Sequence, residues 1–325
     1  VSMRPLIVAV AISALGAEGM AQERAPAPLA PTIPKVAPRK TNEVRLIDEL
    51  ISVSPIDGVR TDAVGLFPAE TVGIDADFWG QSSAEILAPL IARFDTNALA
   101  SVKALKMRII LAELNPPETR QDRSEILVAR LDYLIAAGAL EQAEALLHLA
   151  NASEPELYKR WFDVGLLSQR AERVCQATLQ NMELAPSSAH RVFCLARDGR
   201  WFDAALTLNV AQTLNLIDAR DVDLLQRFLD PELFDGAPPP RTADRLTPLR
   251  FVLYEALGEP RAIGTLPLAY LHADLQNRVG WRDRLEATER LVQSQAFGPG
   301  LLDFLYTEAK PAASGGIWDR VRAYQ

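Results

Sequence analysis

Gly138-Ala-Leu-Glu-Gln-Ala143, Gly165-Leu-Leu-Ser-Gln-Arg-Ala171 and Gly199-Arg-Trp-Phe-Asp-Ala204 are three versions of one turn. In each, a glycine is followed by large apolar residues and, about one and a half helical turns on, by an alanine. Apolar residues recur at helical spacing on both sides of each glycine, from Ser124 to Leu214. The stretch therefore predicts three consecutive helical hairpins. A single hairpin of this kind leaves an apolar stripe bare, so neighbours must stack to cover it.

Working outward, the helices are expected at Ser124–Ala137, Ala139–Ala150, one capped by Ser153 with Glu156 at the box position, Leu167–Met182, and a pair from Ser187 to Leu214. Upstream, Ser82 and Glu85 have capping-box spacing before Ile86, Leu90 and Phe94. A second helix from Asn97 carries Leu105, Ile109, Ala112 and Leu114 as far as Pro116-Pro117. Val44, Ile47, Leu50 and Ile51 mark a helix over 42–54. Between these lies Asp57–Gln81, the least periodic segment, with Phe67, Phe78 and Trp79. A loop of this length is packed or functional, so these three aromatics are candidate partner contacts. Downstream, Ala219–Leu229 is helical. Pro231, Gly236 and Pro238-Pro239-Pro240 then mark a linker over 231–246. Thr247-Pro248 opens a C-terminal helical subdomain, 247–325, with helices at about 248–257, 266–277, 281–296, 299–309 and 316–325. The last pattern (Ile317, Val321, Tyr324) reaches Gln325 with no stop signal, as in a piece of a longer protein. No run alternates with period two for long enough to be a strand. The fold class is all-α.

The N-terminus reads as an export signal over 1–21. Arg4 precedes the apolar run Leu6–Leu15, which is too short to span a bilayer, and Gly19-Met20-Ala21 places small residues for cleavage before Gln22. The competing reading is an uncut anchor. Residues 22–41 follow as a Pro-rich spacer, with five prolines between Ala25 and Arg39. The net charge of −8 argues against nucleic acid or an anionic membrane as a partner. After signal cleavage the expected location is periplasmic or secreted, away from the membrane.

Cys175 and Cys194 are the two cysteines. They lie equidistant from the Ala185-Pro186 turn, on adjacent antiparallel helices. Either they form a disulfide, which an exported chain favours, or they pack as two thiols.

Chemistry is sparse. His148, His190 and His272 are scattered, without metal-ligand spacing, and read as structural or surface residues. No nucleophile elbow or phosphate loop is present, and no cofactor is expected. Ser314-Gly315-Gly316 reads as a flexible helix entry. Asp75, Asp77 and the run Asp218, Asp221, Asp223 read as solvated helix and loop charge. Trp161 and Trp201, beside hairpin turns, read as core, with Trp201 in the place of Leu140 and Leu167.

Gly138, Gly165 and Gly199, the apolar residues after them, and Ala143, Ala171 and Ala204 together resemble tetratricopeptide-like helical repeats. The glycines are 27 and then 34 residues apart, and the family's Trp-to-Leu-Gly-to-Tyr pattern is absent. The resemblance covers 124–214, within a helical-repeat domain expected over 42–230, and implies a TPR-like α-solenoid with a concave face that binds a protein or peptide. It points to a non-catalytic scaffold of the bacterial envelope. The alternative is the superhelical part of a lytic-transglycosylase-like enzyme whose active site lies outside this chain.

Overall fold

The computed structural model describes residues 60–117, 124–241, 245–259, 263–276 and 279–308. All belong to the unit Pro55–Gln325. The expected signal, the Pro-rich arm, the helix over 42–54, Ser314-Gly315-Gly316 and the helix over 316–325 lie outside the described residues.

The structure is mostly helical. In chain order come β1 (Phe67–Pro68), α1 (Ala69–Val72), α2 (Ala84–Ala92), α3 (Ala100–Leu111) and β2 (Ala112–Glu113). The hairpin helices are α4 (Glu125–Ala136), α5 (Leu140–Leu149), α6 (Pro155–Leu167), α7 (Ala171–Gln180), α8 (Ser188–Arg197) and α9 (Trp201–Thr213). Then follow α10 (Ala219–Leu229), α11 (Pro248–Ala256), a 3-10 segment Leu268–Leu275, α12 (Trp281–Gln293) and α13 (Gly300–Glu308). One two-residue parallel pairing exists where no strand is expected: Phe67 pairs with Ala112, and Pro68 with Glu113. It stops α3 at Leu111, short of the expected Ala112 and Leu114.

The turns have a physical cause that the glycine pattern shows only in part. Gly138 and Gly199 take left-handed backbone, φ 78° and 79°, at the ends of α4 and α8. Gly165 does not turn. It lies inside α6, where a Cβ would come within 2.2 Å of Val174 Cγ1, so its role is to let α7 approach. The left-handed residue of that hairpin is Gln169, φ 61°. The three turn residues, 138, 169 and 199, are thus 31 and 30 residues apart, a more even step than the glycines have.

Caps also differ from expectation. Thr247 accepts from the Arg250 amide at 3.3 Å, and Asp218 from the Arg220 amide at 2.9 Å, as N-caps do. Ser83 rather than Ser82 precedes α2, and Glu154 rather than Ser153 precedes α6; neither caps with its side chain. On α2, Ile86 and Leu90 are exposed, while Ala84 and Ile91 face inward.

Two large apolar clusters fill the interior, and a third, small one joins α12 to α13 through Leu285 and Leu305. Of the two large ones, one joins α2–α6, the segment Leu268–Leu275 and α12; the other joins α6–α11. Helix α6 serves both, with Leu157, Val164 and Leu167 in the first and Tyr158, Phe162 and Leu166 in the second. Helix α11 does the same through Phe251 on one side and Leu253 and Tyr254 on the other. Across the stretch 231–246, therefore, α11 packs on α6 and α10. The Gly138 turn is likewise covered from far along the chain: a Cβ there would meet Leu291 at 2.8 Å, and His272 Nε2 donates to Gly138 O at 2.6 Å.

Candidate functional site

The expected contact residues divide. Phe67 and Phe78 are each 45% exposed. Trp79 is a correction: it is buried, and its ring meets Phe78 edge-on at 5.0 Å. Phe67 joins neither ring. The reason is the way the segment is tied down. Asp62 Oδ1 accepts from the Leu127 amide, the Asn115 amide donates to Ala76 O, and Val64, Ala69 and Trp79 enter the first cluster. The irregular segment is thus a packed cover, and most of its apolar surface is spent inward.

Arg130 does most of the tying. It lies on the inward face of α4, 1% exposed, and donates to Ile110 O, Val64 O and Ala112 O at 2.6, 2.6 and 3.0 Å. The last carbonyls of a helix have no partner within it, and Arg130 satisfies those at the end of α3. Burial pushes its pKa down to about 10, opposed by the Asp62 carboxylate. Burial in turn raises Asp62, opposed first by the Leu127 amide and then by Arg130. A lone arginine among Ile126, Leu127, Leu131 and Leu134 is the signal in the sequence for this clamp.

A groove of about 560 Å³ lies between α2, α4 and α6. Its floor is apolar: Ala88, Pro89 and Ala92 from α2, and Val128 and Ala129 from α4. Its rim carries Glu85, Glu125, Asp132 and Glu156. Arg160 crosses from α6 to α4, gripping Asp132 with two hydrogen bonds of 2.9 Å and Glu156 with one of 2.6 Å. These pairs are partly exposed, so they set orientation more than stability.

The cysteines lie where the turn geometry puts them. Cys175 on α7 and Cys194 on α8 are disulfide-bonded, with Cα atoms 4.8 Å apart. The bond joins the second helix of one hairpin to the first of the next.

Other candidates have structural work. Asp75 Oδ1 accepts from the Asp77 amide, and Asp77 from Asn115. Asp218 and Asp221 hold Arg250, and Asp223 holds Arg227. His190 bonds Ser187 and stands edge-on to Phe162; burial brings its pKa down to about 4. Burial drives Asp163 the other way, up to about 7, against the pull of Lys159 and Arg160. Among the described residues no three His, Cys, Asp or Glu side chains group as metal ligands would. None of their helices is long and apolar enough to cross a membrane. Trp161 is half-buried between the two clusters. Trp201 is a second correction: it is 49% exposed beside Phe228 rather than core.

The class defined so far is a mostly helical, disulfide-bonded chain. No protein family, no curated protein and no solved structure matches it.

Proposed function

We propose that the chain is an exported, non-catalytic scaffold of TPR-like helical repeats, an α-solenoid that holds a partner protein or peptide in the bacterial envelope. The observation that carries this reading is the groove on α2, α4 and α6. Its walls come from α2 and from the leading helices of two successive hairpins, α4 and α6, and helical-repeat arrays bind through extended concave faces of this kind. An apolar floor with a carboxylate rim suits a peptide segment with apolar side chains and flanking Lys or Arg. The near-constant step of the turns at 138, 169 and 199 supports the repeat reading, and the disulfide supports an oxidising compartment.

Affinity capture from the periplasm of the native organism tests it. The wild-type chain should retain the same partner reproducibly, and Val128→Arg, which fills the floor with a charge, should lose it. No reproducible partner, together with turnover of a glycan or peptide by the purified protein, overturns the scaffold reading.

A further inference from the structure

Helix α9 is apolar on two faces. Ala204, Leu208 and Ala211 are buried on the side that meets α8 and α10. On the other side Phe202, Leu206, Val210 and Leu214 form a row at four-residue spacing. They are 80, 54, 50 and 61% exposed. A helix that is apolar all round is normally enclosed. The fold itself does not require this. Helix α7 is the second helix of the preceding hairpin, and its exposed row at the same spacing is Glu172, Gln176 and Gln180.

We propose that this face joins two copies of the chain, α9 against α9 about a two-fold axis. Two observations choose a second copy. First, no charged residue occurs from Ala204 to Ile217 in a chain of net charge −8. Two like-charged copies can meet there without juxtaposing carboxylates, whereas nothing on the face would steer a charged partner. Second, the row is self-complementary. Antiparallel about its centre, Phe202 of one copy faces Leu214 of the other and Leu206 faces Val210. Such four-residue ridges interdigitate at the commonest helix-crossing angle. Contact of apolar face with apolar face is the composition that homodimers favour.

Sedimentation equilibrium of the purified whole chain, from about 1 to 100 μM, tests the proposal alongside two variants. Wild type should run at twice the chain mass. Leu206→Asp with Val210→Asp should raise the dissociation constant at least about 100-fold, with the far-UV circular dichroism of wild type retained because both side chains are exposed in the single chain. Asn209→Cys, beside the axis and exposed, should form a covalent dimer on mild oxidation even where the aspartate variant expresses poorly. Gln176→Asp on α7 should change nothing. A wild-type monomer at every concentration overturns the proposal, as does a dimer that survives the aspartates and fails to cross-link at position 209. The groove on α2, α4 and α6 takes no part in this contact, so partner capture should survive the aspartates.

Discussion

At the scale of single residues, Arg130 holds the first part of the fold in place. One guanidinium serves three carbonyls from two separate segments, Val64 on one side and Ile110 and Ala112 on the other. Removing it leaves those carbonyls without that donor and Asp62 without its compensating charge. Arg130→Met should therefore lower unfolding free energy by about 3–5 kcal/mol in urea titration. Arg130→Lys should recover little, since an ammonium lacks the planar fork. A loss below about 1 kcal/mol for the methionine variant would mean that the clamp is idle. Asp163 and His190 give a paired test. The folded-state pKa of Asp163 is about 7 and its ordinary value 3.8, so its contribution is full below pH 4 and is lost as pH rises through 7. For His190 the folded value is about 4 and the ordinary one 6.5, so its contribution is full above 6.5 and is lost as pH falls through 4. The two slopes oppose. Between pH 4.5 and 6.5, Asp163→Asn should make the melting temperature climb more steeply with pH than in wild type, and His190→Gln should make it climb less or fall. Identical slopes in all three proteins would contradict both assignments.

At the scale of elements, the hairpins were legible because two of three turns use glycine for left-handed backbone. The middle one was not, because Gln169 carries the turn while Gly165 solves a different problem, the approach of Val174. The two kinds of glycine should respond differently. Gly199→Ala meets no atom within 4 Å and suffers only from its positive φ, so it should cost about 1 kcal/mol. Gly165→Ala has no positive φ but collides with Val174, so it should cost more, about 1–3 kcal/mol. Gly165→Ala with Val174→Ala should regain part of that, whereas Gly199→Ala with Val174→Ala should simply add. Thermal melts of these four variants and of Val174→Ala alone decide this, and a lower cost at 165 than at 199 would reverse the assignment. The same comparison explains Trp201. It occupies the place of Leu140, yet Leu140 is 1% exposed. The Gly138 turn is roofed by Leu268 and Leu291, and nothing lies within 4 Å of the Gly199 site. Burial at equivalent positions is set by residues more than a hundred positions away, which local periodicity does not encode. Trp79 failed in the opposite direction: an aromatic in an aperiodic segment looks available until Arg130 and Asp62 fix that segment inward.

At the scale of the whole molecule, helix content could be read from spacing, and spacing put the two cysteines side by side while leaving a disulfide or two packed thiols open, because both readings depend on residues near one another in sequence. The groove could not. Pro89, Val128 and Glu156 come from three helices, and only their packing makes a floor and a rim. The C-terminal helices share both large apolar clusters through α11 and cover the Gly138 turn, a packing that the linker-like 231–246 gives no hint of. The groove is the surface proposed to receive a partner segment. The most direct test places a photo-cross-linking amino acid at Val128 in the groove and, as a control, at Gln176 on the polar face of α7, in cells of the native organism. Val128 should give one discrete adduct, abolished by Glu125→Lys with Glu156→Lys, and Gln176 none. Adducts of equal yield from both positions, or none from Val128, would contradict it.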